Sequence, residues 1–328
     1  MKYFKSFLIS SLLFLFIFNT YAQTSVNPYN PEPKMELLKA EKGENPTMIH
    51  FLVFGDAKGS DKLSGVLELA DSLQPDFCIT TGDLVDKGGG EKGKSDYKEL
   101  DKRMGWFMRK YPVWAVMGNH ERSGGDDAME NFTKFFGISE TMHSFEYGNT
   151  KFISLPYPEI NEDSAKLNWL EKELSETKVA HIFIYKHRPD YTVGAKFRNN
   201  VLGEETKTTR LFDKYNVTAV FSSHDHIYYR TKRNTTNYII SSGAGSSNYQ
   251  LSRENESIKG DTYFGKRTYE ELNNGDFGKY KFVDFDGTTT DLTDPIYYLV
   301  SIKVGDDKVT IEMIDQKNGK VWDKADIK

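Results

Sequence analysis

The sequence predicts a layered α/β domain, and three observations lead to that prediction. Short apolar runs of strand length alternate with stretches of helical periodicity through most of the chain. These runs are apolar throughout, which is typical of strands that are buried on both faces. The 328 residues are about the length that one large α/β domain takes.

Residues 1–22 have the features of a secretory signal peptide. Lys2 and Lys5 supply the positive start, an apolar run follows from Phe7 to Phe18, and Ala22 ends a cleavage-site pattern. A transmembrane anchor is the alternative, but the run is shorter than the ~20 residues that a spanning helix needs. We therefore expect an exported protein, periplasmic or extracellular, whose mature form has no transmembrane anchor.

The rest of the chain divides by composition into a lead-in and one domain. Residues 23–46 carry four prolines and are expected to be irregular. A single domain is expected over 47–328, with its core motifs in 48–245 and C-terminal strands in 296–325. The polar insertion between them, at about 246–294, is long enough to be a functional lid or a flexible loop.

Strands and helices alternate in the first part of this domain. The apolar run MIHFLVF over 48–54 predicts a strand that ends at Gly55. The stretch 63–73 places Leu63, Val66 and other apolar residues on one helical face. By the same criteria, the other elements expected here are strands over 77–81, 113–117, 152–155, 179–185 and 217–222, and helices over 97–110, 164–174 and 204–215.

Strands joined by tight turns replace this alternation after residue 226. Gly305-Asp306-Asp307 and Asn318-Gly319 are typical hairpin turns. These strands are expected to contribute to a second sheet. Their predicted ranges are 227–232, 238–242, 297–304, 309–314 and 320–323.

Charge and cysteine content exclude several classes of function. The formal net charge of −5 argues against a broad nucleic-acid-binding face, so long nucleic acids are not expected partners. Cys78 is the single cysteine in the sequence. An internal disulfide and a cysteine-based zinc site are therefore both excluded.

Polar residues of metal-ligand type follow the predicted strands in order. The carboxyl ends of strands in an α/β sheet form a common binding edge, so we expect these side chains to converge. Carboxylate, amide and imidazole donors suit Mn, Fe and Zn. Two ions that share one carboxylate would use all the donors and could clamp the attacking and leaving oxygens at phosphorus. The donors are Asp56, Asp83, Asn119, His187, His224 and His226.

Five short motifs resemble those of the calcineurin-like metallophosphoesterase superfamily, of which purple acid phosphatases are more distant relatives. The resemblance implies a four-layer fold, a β-sandwich of two mixed sheets flanked by helices, with two metal ions at the strand ends. It also implies a hydrolase that cleaves phosphate mono- or diesters by attack of a metal-activated hydroxide on phosphorus, and the signal-peptide features add that this hydrolase is exported. The motifs are Gly55-Asp56, Gly82-Asp83-Leu84-Val85-Asp86, Gly118-Asn119-His120-Glu121, His187-Arg188-Pro189 and His224-Asp225-His226.

The resemblance further implies a role for each site residue. Asp83 would bridge the two metals. His120 would act beside the metals on the leaving group or the phosphate, and Asp86 would orient it. The remaining ligands would be Asp56 and His226 for the first metal, and Asn119, His187 and His224 for the second.

The first motif departs from the pattern of the superfamily. Most members have Asp-x-His, whereas this chain has Asp56-Ala57-Lys58. A protonated lysine cannot bind a metal, so the first metal would lose a protein ligand unless water replaces it or Asp86 moves inward. Lys58 could instead contact the substrate phosphate. The alternative function is therefore a degenerate envelope protein that binds metal and phosphate without turnover.

The expected substrate is a small phosphorylated molecule. Basic side chains beside the ligand loops could neutralise its phosphate, although a plain surface role is as compatible with the sequence. The sequence leaves open the choice between monoester and diester, the choice among Mn, Fe and Zn, and the oligomeric state. The candidate substrate-binding residues are Lys58, Lys87, Arg122 and Arg188.

Overall fold

Two mixed β-sheets form the centre of the fold in this computed structural model, which describes residues 27–196, 205–252, 260–275 and 277–327. Elements are numbered in chain order. The first sheet contains, in spatial order, β15 (Val321–Asp326), β14 (Val309–Asp315), β13 (Tyr298–Val304), β1 (Ile49–Phe54), β2 (Phe77–Thr80) and β3 (Val113–Ala115).

The second sheet is larger and extends from the first half of the chain into the insertion. It contains, in spatial order, β12 (Thr289–Leu292), β11 (Tyr280–Val283), β10 (Thr262–Lys266), β8 (Tyr228–Arg233), β9 (Thr236–Ser241), β7 (Ala219–Ser222), β6 (His181–Tyr185), β5 (Thr150–Ser154) and β4 (His143–Tyr147).

Parallel strands lie at the middle of both sheets. In the first sheet β1, β2 and β3 are parallel, and β13 pairs with β1 in the antiparallel sense. In the second sheet β5, β6, β7 and β9 are parallel. The carboxyl ends of these parallel strands carry the predicted ligand loops.

The two sheets pack against each other through aromatic side chains. Phe51 on β1 lies 5.1 Å from Phe152, 5.3 Å from Phe183 and 5.9 Å from Phe221, measured between ring centroids. All four rings are fully buried. This shared core supports the sandwich arrangement and gives the strand-end loops a rigid base.

Helices cover the outer faces of the sheets. Apolar faces of α2, α3 and α4 pack beside the strands of the first sheet, and those of α5 and α6 pack on the second. The result is the four-layer arrangement that the resemblance implies. The helices are α1 (Pro31–Lys42), α2 (Lys62–Ser72), α3 (Gly90–Lys110), α4 (Ala128–Phe136), α5 (Ser164–Ser175), α6 (Lys207–Lys214) and α7 (Tyr269–Asn274).

Most of the predicted elements are confirmed with shifts of one or two residues at their ends. The helix expected over 97–110 begins earlier, at Gly90, and the one expected over 204–215 begins at Lys207 after its N-cap Thr206. Residue 204 and the predicted signal peptide lie outside the described residues. Helix α4 and strand β4 have no counterpart among the predicted elements.

The expectation of an irregular lead-in is wrong for α1. Pro31 occupies the first turn of this helix, where a proline nitrogen loses no hydrogen bond. The Asn30 side chain accepts a hydrogen bond from the backbone N–H of Glu32 and caps the helix. The prolines that suggested irregular structure therefore mark a helix start.

The sequence predicts that the strands after residue 226 contribute to a second sheet, whereas in the structure they divide between the two sheets. Strands β13 to β15 extend the sheet that begins with β1, whereas β8 to β12 extend the other. The described part of the insertion is also not a plain loop, since it contains β10, α7, β11 and β12. Within the described residues, no helix is long and apolar enough to cross a membrane.

Candidate metal centre

The loops after the parallel strands meet at one edge of the sandwich and are tied together by backbone hydrogen bonds. The N–H of Asp56, after β1, donates to the carbonyl of Gly82, after β2, at 2.9 Å. The N–H of Ser223, after β7, donates to the carbonyl of His187, after β6, at 2.8 Å. The N–H of Ser246, after β9, donates to the carbonyl of Asp56 at 2.9 Å. The two sheets thus contribute to one site.

Three of the predicted ligands have a left-handed backbone. The φ angles are 58° at Asp56, 57° at Asp83 and 70° at His224. Non-glycine residues seldom adopt this conformation, which costs of order 1–3 kcal/mol and is found preferentially at functional sites. Here the conformation turns each side chain inward at the point where its strand ends.

The predicted ligands of the second metal lie together; Asp83 and His187 are fully buried, and Asn119 and His224 are partly buried. His187 Nε2 lies 3.3 Å from Asp83 Oδ1, 3.0 Å from Asn119 Oδ1 and 3.1 Å from His224 Nδ1. The donor atoms of Asp83, His187 and His224 all lie within 4.8 Å of one another. His187 Nδ1 is 2.8 Å from the carbonyl oxygen of Thr81, which fixes the tautomer that leaves Nε2 available to a metal.

The predicted ligands of the first metal form a second buried pair. His226 Nε2 lies 3.4 Å from Asp56 Oδ1, and His226 Nδ1 lies 2.9 Å from the carbonyl oxygen of Ser247. Asp56 Oδ1, His226 Nε2 and Asp83 Oδ2 are buried and make no hydrogen bond within the described residues. Buried polar atoms that make no hydrogen bond are costly, and cations bound beside these atoms would satisfy them. The oxygen and imidazole donors therefore fit Mn, Fe or Zn.

The charges of the site are those expected of a cation-binding cluster. Burial opposes ionisation of Asp56, but the neighbouring His226 holds the pKa of that carboxyl well below its usual range. Burial also opposes protonation of His187, yet the charge of Asp83 raises its pKa to about 9. For His224, burial and then the charge of His187 lower the pKa to about 3, which keeps that imidazole neutral.

Glu121 holds two ligand loops together from behind the site. Its buried carboxylate accepts hydrogen bonds from the backbone N–H groups of Asp83 at 2.8 Å, Leu84 at 2.6 Å and Gly118 at 2.9 Å. Burial and the nearby charge of Asp83 raise its pKa to about 7. Glu121 therefore joins the loop after β2 to the loop after β3.

Lys58 lies inside the site. Its ammonium nitrogen is 3.5 Å from Asp83 Oδ2, and the side chain is 20% exposed. It therefore contacts the residue that is expected to bridge the two metals, at an oxygen with no hydrogen bond of its own. This contact bears directly on how the first metal position is filled.

His120 and Asp86 are adjacent at the mouth of the site. His120 Nδ1 is 2.8 Å from the backbone oxygen of Asp86 and 3.3 Å from its Oδ1, and His120 Nε2 is 3.8 Å from Asp83 Oδ2. The Asp86 side chain is 52% exposed. Its carboxylate therefore lies beside His120, in reach to orient that ring, and the alternative in which Asp86 moves inward as a ligand stays a prediction.

The other predicted substrate-binding residues make fewer contacts with the site. Arg188, next to His187, forms an ion pair with Glu159 at 3.3 Å. Lys87 is half-buried and Arg122 is exposed. Neither side chain makes a hydrogen bond or ion pair within the described ranges, so the structure does not join them to the cluster.

Tyr249 is a site residue that the sequence analysis missed. Its ring stacks on that of His226 with centroids 4.0 Å apart, and its hydroxyl lies 2.7 Å from the ammonium of Lys196. Tyr249 follows the loop after β9, whose end lies at the same edge as the ligands. Applying the strand-end rule to the predicted strand 238–242 would have drawn attention to this loop.

Comparison with known proteins points to one family. Residues 49–228, more than half of the chain, match the family described as calcineurin-like phosphoesterase. A probable glycerophosphodiester phosphodiesterase, GpdQ, from Arcobacter nitrofigilis is 27% identical over 192 residues. The match covers 54% of this chain and 65% of the relative, so it spans slightly less than two thirds of that protein.

Solved structures share the fold. Purple acid phosphatase PPD1 from seeds of yellow lupin (Lupinus luteus) has a TM-score of 0.63 and 14% identity, over 84% of this chain and 53% of the plant protein. GAP50 of Plasmodium, described as the anchor in the inner membrane complex, has a TM-score of 0.59 and 14% identity. The match covers 86% of this chain and 89% of GAP50. At these identities the likeness shows the fold alone.

Proposed function

The chain belongs to the calcineurin-like phosphoesterase family, and from this premise we propose that it is a metal-dependent hydrolase of phosphate esters with a two-metal centre. One observation carries the proposal. Asp56 Oδ1, Asp83 Oδ2 and His226 Nε2 are buried and make no hydrogen bond within the described residues, and the ligand atoms of Asp83, His187 and His224 form a close cluster. Such an arrangement is expensive unless cations occupy it.

The ligand residues would divide as the motifs suggest. Asp83 would hold both ions, which would be divalent or trivalent Mn, Fe or Zn. Bound there, the ions would activate water at neutral pH and neutralise charge on the phosphate. The other ligands would be Asp56 and His226 on one side, and Asn119, His187 and His224 on the other.

His120 would handle the proton of the leaving group. The Nδ1–H group can donate a hydrogen bond to the Asp86 backbone oxygen at 2.8 Å. This bond orients the ring and directs Nε2 toward the metal centre. When the ring is fully protonated, Nε2 carries the proton that a leaving alkoxide requires. Lys58 would either contact a phosphate oxygen of the substrate or keep its ion pair with Asp83.

The substrate would be a small phosphate ester. The family does not separate monoesters from diesters, and the similarity to the Arcobacter relative, a probable phosphodiesterase, favours a diester. The net charge of −5 disfavours long nucleic acids. We further propose that the protein is exported, a proposal that rests on the signal-peptide features of residues 1–22.

A second candidate function follows from Lys58. An ammonium 3.5 Å from Asp83 Oδ2 already supplies positive charge at the shared carboxylate. If that charge excludes the first metal, the protein would bind one metal and phosphate without turnover. GAP50, which shares this fold, is described as an anchor in the inner membrane complex of Plasmodium, so the fold also occurs in a protein with an anchoring role.

The experiment that tests the proposal is reconstitution of the purified protein with Mn, Fe or Zn in separate samples. Each sample is analysed for metal per chain and assayed with p-nitrophenyl phosphate and bis-p-nitrophenyl phosphate. We expect two ions per chain and turnover of at least one compound. One ion or none, with no hydrolysis of either compound, would contradict the proposal and favour the second candidate.

A further inference from the structure

A cavity of about 440 Å³ lies beside the candidate metal centre, between the loop after β9 and the β10–α7 segment. Tyr249 belongs to its wall and also stacks on His226, so the cavity and the metal ligands share one aromatic ring. Tyr269 and Leu272 supply apolar surface on the α7 side. The cavity is therefore placed to receive a part of the substrate that extends beyond the phosphate.

The charged residues that line this cavity are all basic. They are Lys196, Lys266, Arg267 and Lys279. Arg267 is neutralised by Glu271 at 3.0 Å and by Asp291. Lys266 and Lys279 form no ion pair with any described residue, and none of the described residues that line the wall is acidic. A concave surface of this kind attracts an anion and disfavours a cation.

Asn248 provides a polar group inside the cavity wall. The residue is 3% exposed, and its Oδ1 is buried without a hydrogen bond in the described part of the chain. A buried amide in this state is costly, and it can both donate and accept. A water molecule that accompanies a bound anion could donate to Oδ1, and the Asn248 NH₂ group could donate to the anion itself.

The cavity is also electrostatically coupled to the centre. Partial burial and then the positive charge of Lys58 lower the pKa of Lys196, while Asp225 and Asp56 oppose that effect. The ammonium of Lys196 lies 2.7 Å from the Tyr249 hydroxyl and 4.0 Å from the centroid of that ring. A substrate that bridges the two places would therefore meet a continuous basic and aromatic wall.

We propose that this cavity binds a second anionic group, a carboxylate or a phosphate, on the remote part of the phosphate-ester substrate. This inference rests on the proposed function and narrows its substrate class to esters that carry a further negative charge. Lys266 and Lys279 would provide the charge, Asn248 the directed hydrogen bond, and Tyr249 the surface for the connecting segment.

The test measures binding to the full-length, Mn-loaded protein by titration calorimetry, so it does not depend on turnover. The compounds are alkylphosphonates of increasing chain length that end in a carboxylate, in a second phosphonate, or in a carboxylate methyl ester. At one chain length, we expect an anionic end to bind about tenfold more tightly than the ester, as charge-assisted contacts allow. The better of the two anionic series identifies the preferred group.

The double variant Lys266→Gln/Lys279→Gln should remove that tenfold preference, and Lys266→Arg/Lys279→Arg should restore it. The control variant Lys303→Gln changes an exposed lysine on β13 and should keep the preference. Thermal unfolding of each variant checks that it is folded. Equal binding of anionic and ester compounds at every length, or a preference that the double variant keeps, would overturn the proposed anion site. Neither result would affect the proposed phosphoesterase function. Failure of all phosphonates to bind, together with no turnover, would overturn the proposed function as well.

Discussion

Replacement of Lys58 should strengthen binding of the second metal equivalent. The Lys58 ammonium lies 3.5 Å from Asp83 Oδ2, at the carboxylate that two metals would share. Full occupancy of the centre then requires this ion pair to break or to rearrange. The variants Lys58→His and Lys58→Met both remove the pair, and the histidine also restores the donor that the family pattern has at this position.

The size of the effect can be worked from the geometry. Two unit charges 3.5 Å apart attract by roughly 5 kcal/mol at an effective dielectric constant of ~20. Lys58 is 20% exposed, so solvent screening and side-chain entropy reduce the net contribution to about 1–2 kcal/mol. The second equivalent should therefore bind roughly 5- to 30-fold more tightly in Lys58→Met, and more tightly still in Lys58→His.

The assay is calorimetric titration of the metal-free protein with Mn²⁺, followed by electron paramagnetic resonance to detect coupling between two bound ions. Lys98→His, an exposed lysine on α3, is the matched control and should bind metal as the unmodified protein does. If both Lys58 variants leave the affinity of the second equivalent unchanged, Lys58 does not compete for Asp83 and the reasoning is refuted.

Three further predictions concern other residues. His120→Ala should lower turnover by about 10²–10⁴-fold while metal content stays the same, and a loss of metal would instead make His120 a ligand. Glu121→Gln should cost about 2 kcal/mol in urea unfolding and weaken metal binding, because its amide cannot accept from all three N–H groups; unchanged values would contradict the clamp. Burial lowers the pKa of His143 from 6.5 to about 4, so the unfolded chain binds the proton more readily. Stability should therefore fall between about pH 6.5 and 4 by at most ~3 kcal/mol, and His143→Gln should show a flatter profile in pH-dependent unfolding.

The centre of the fold could be predicted because its strands are continuous apolar runs. The run over 48–54 and the helix face with Leu63 and Val66 have clear periodicity, and both are confirmed. The strand-end rule then selected residues that the structure brings together around Asp83. The loops converge because the parallel strands of each sheet end at the same edge, and the alternation of strands and helices already predicts parallel strands.

The remaining elements lacked such a local signal. Helix α1 starts with prolines, which favour irregular structure and helix starts equally. Strands β11 and β12 are four residues long, and β12 is largely exposed, so neither shows a strong pattern. Tyr249 lies in the loop after β9, and its stacking on His226 depends on the path of that loop, which no periodic pattern in the sequence predicts. The sequence therefore predicted the candidate metal ligands better than it predicted the residues and elements that surround them.

The central claim is that Asp83 holds two metals on which hydrolysis depends. The most direct measurement compares metal per chain and hydrolysis of bis-p-nitrophenyl phosphate in the unmodified protein, in Asp83→Asn and in Asp307→Asn, an exposed control in the β13–β14 turn. We predict two ions and turnover in the unmodified protein and the control, and in Asp83→Asn fewer ions with turnover lower by at least about 10²-fold. Retention of two ions and full activity in Asp83→Asn would contradict this account.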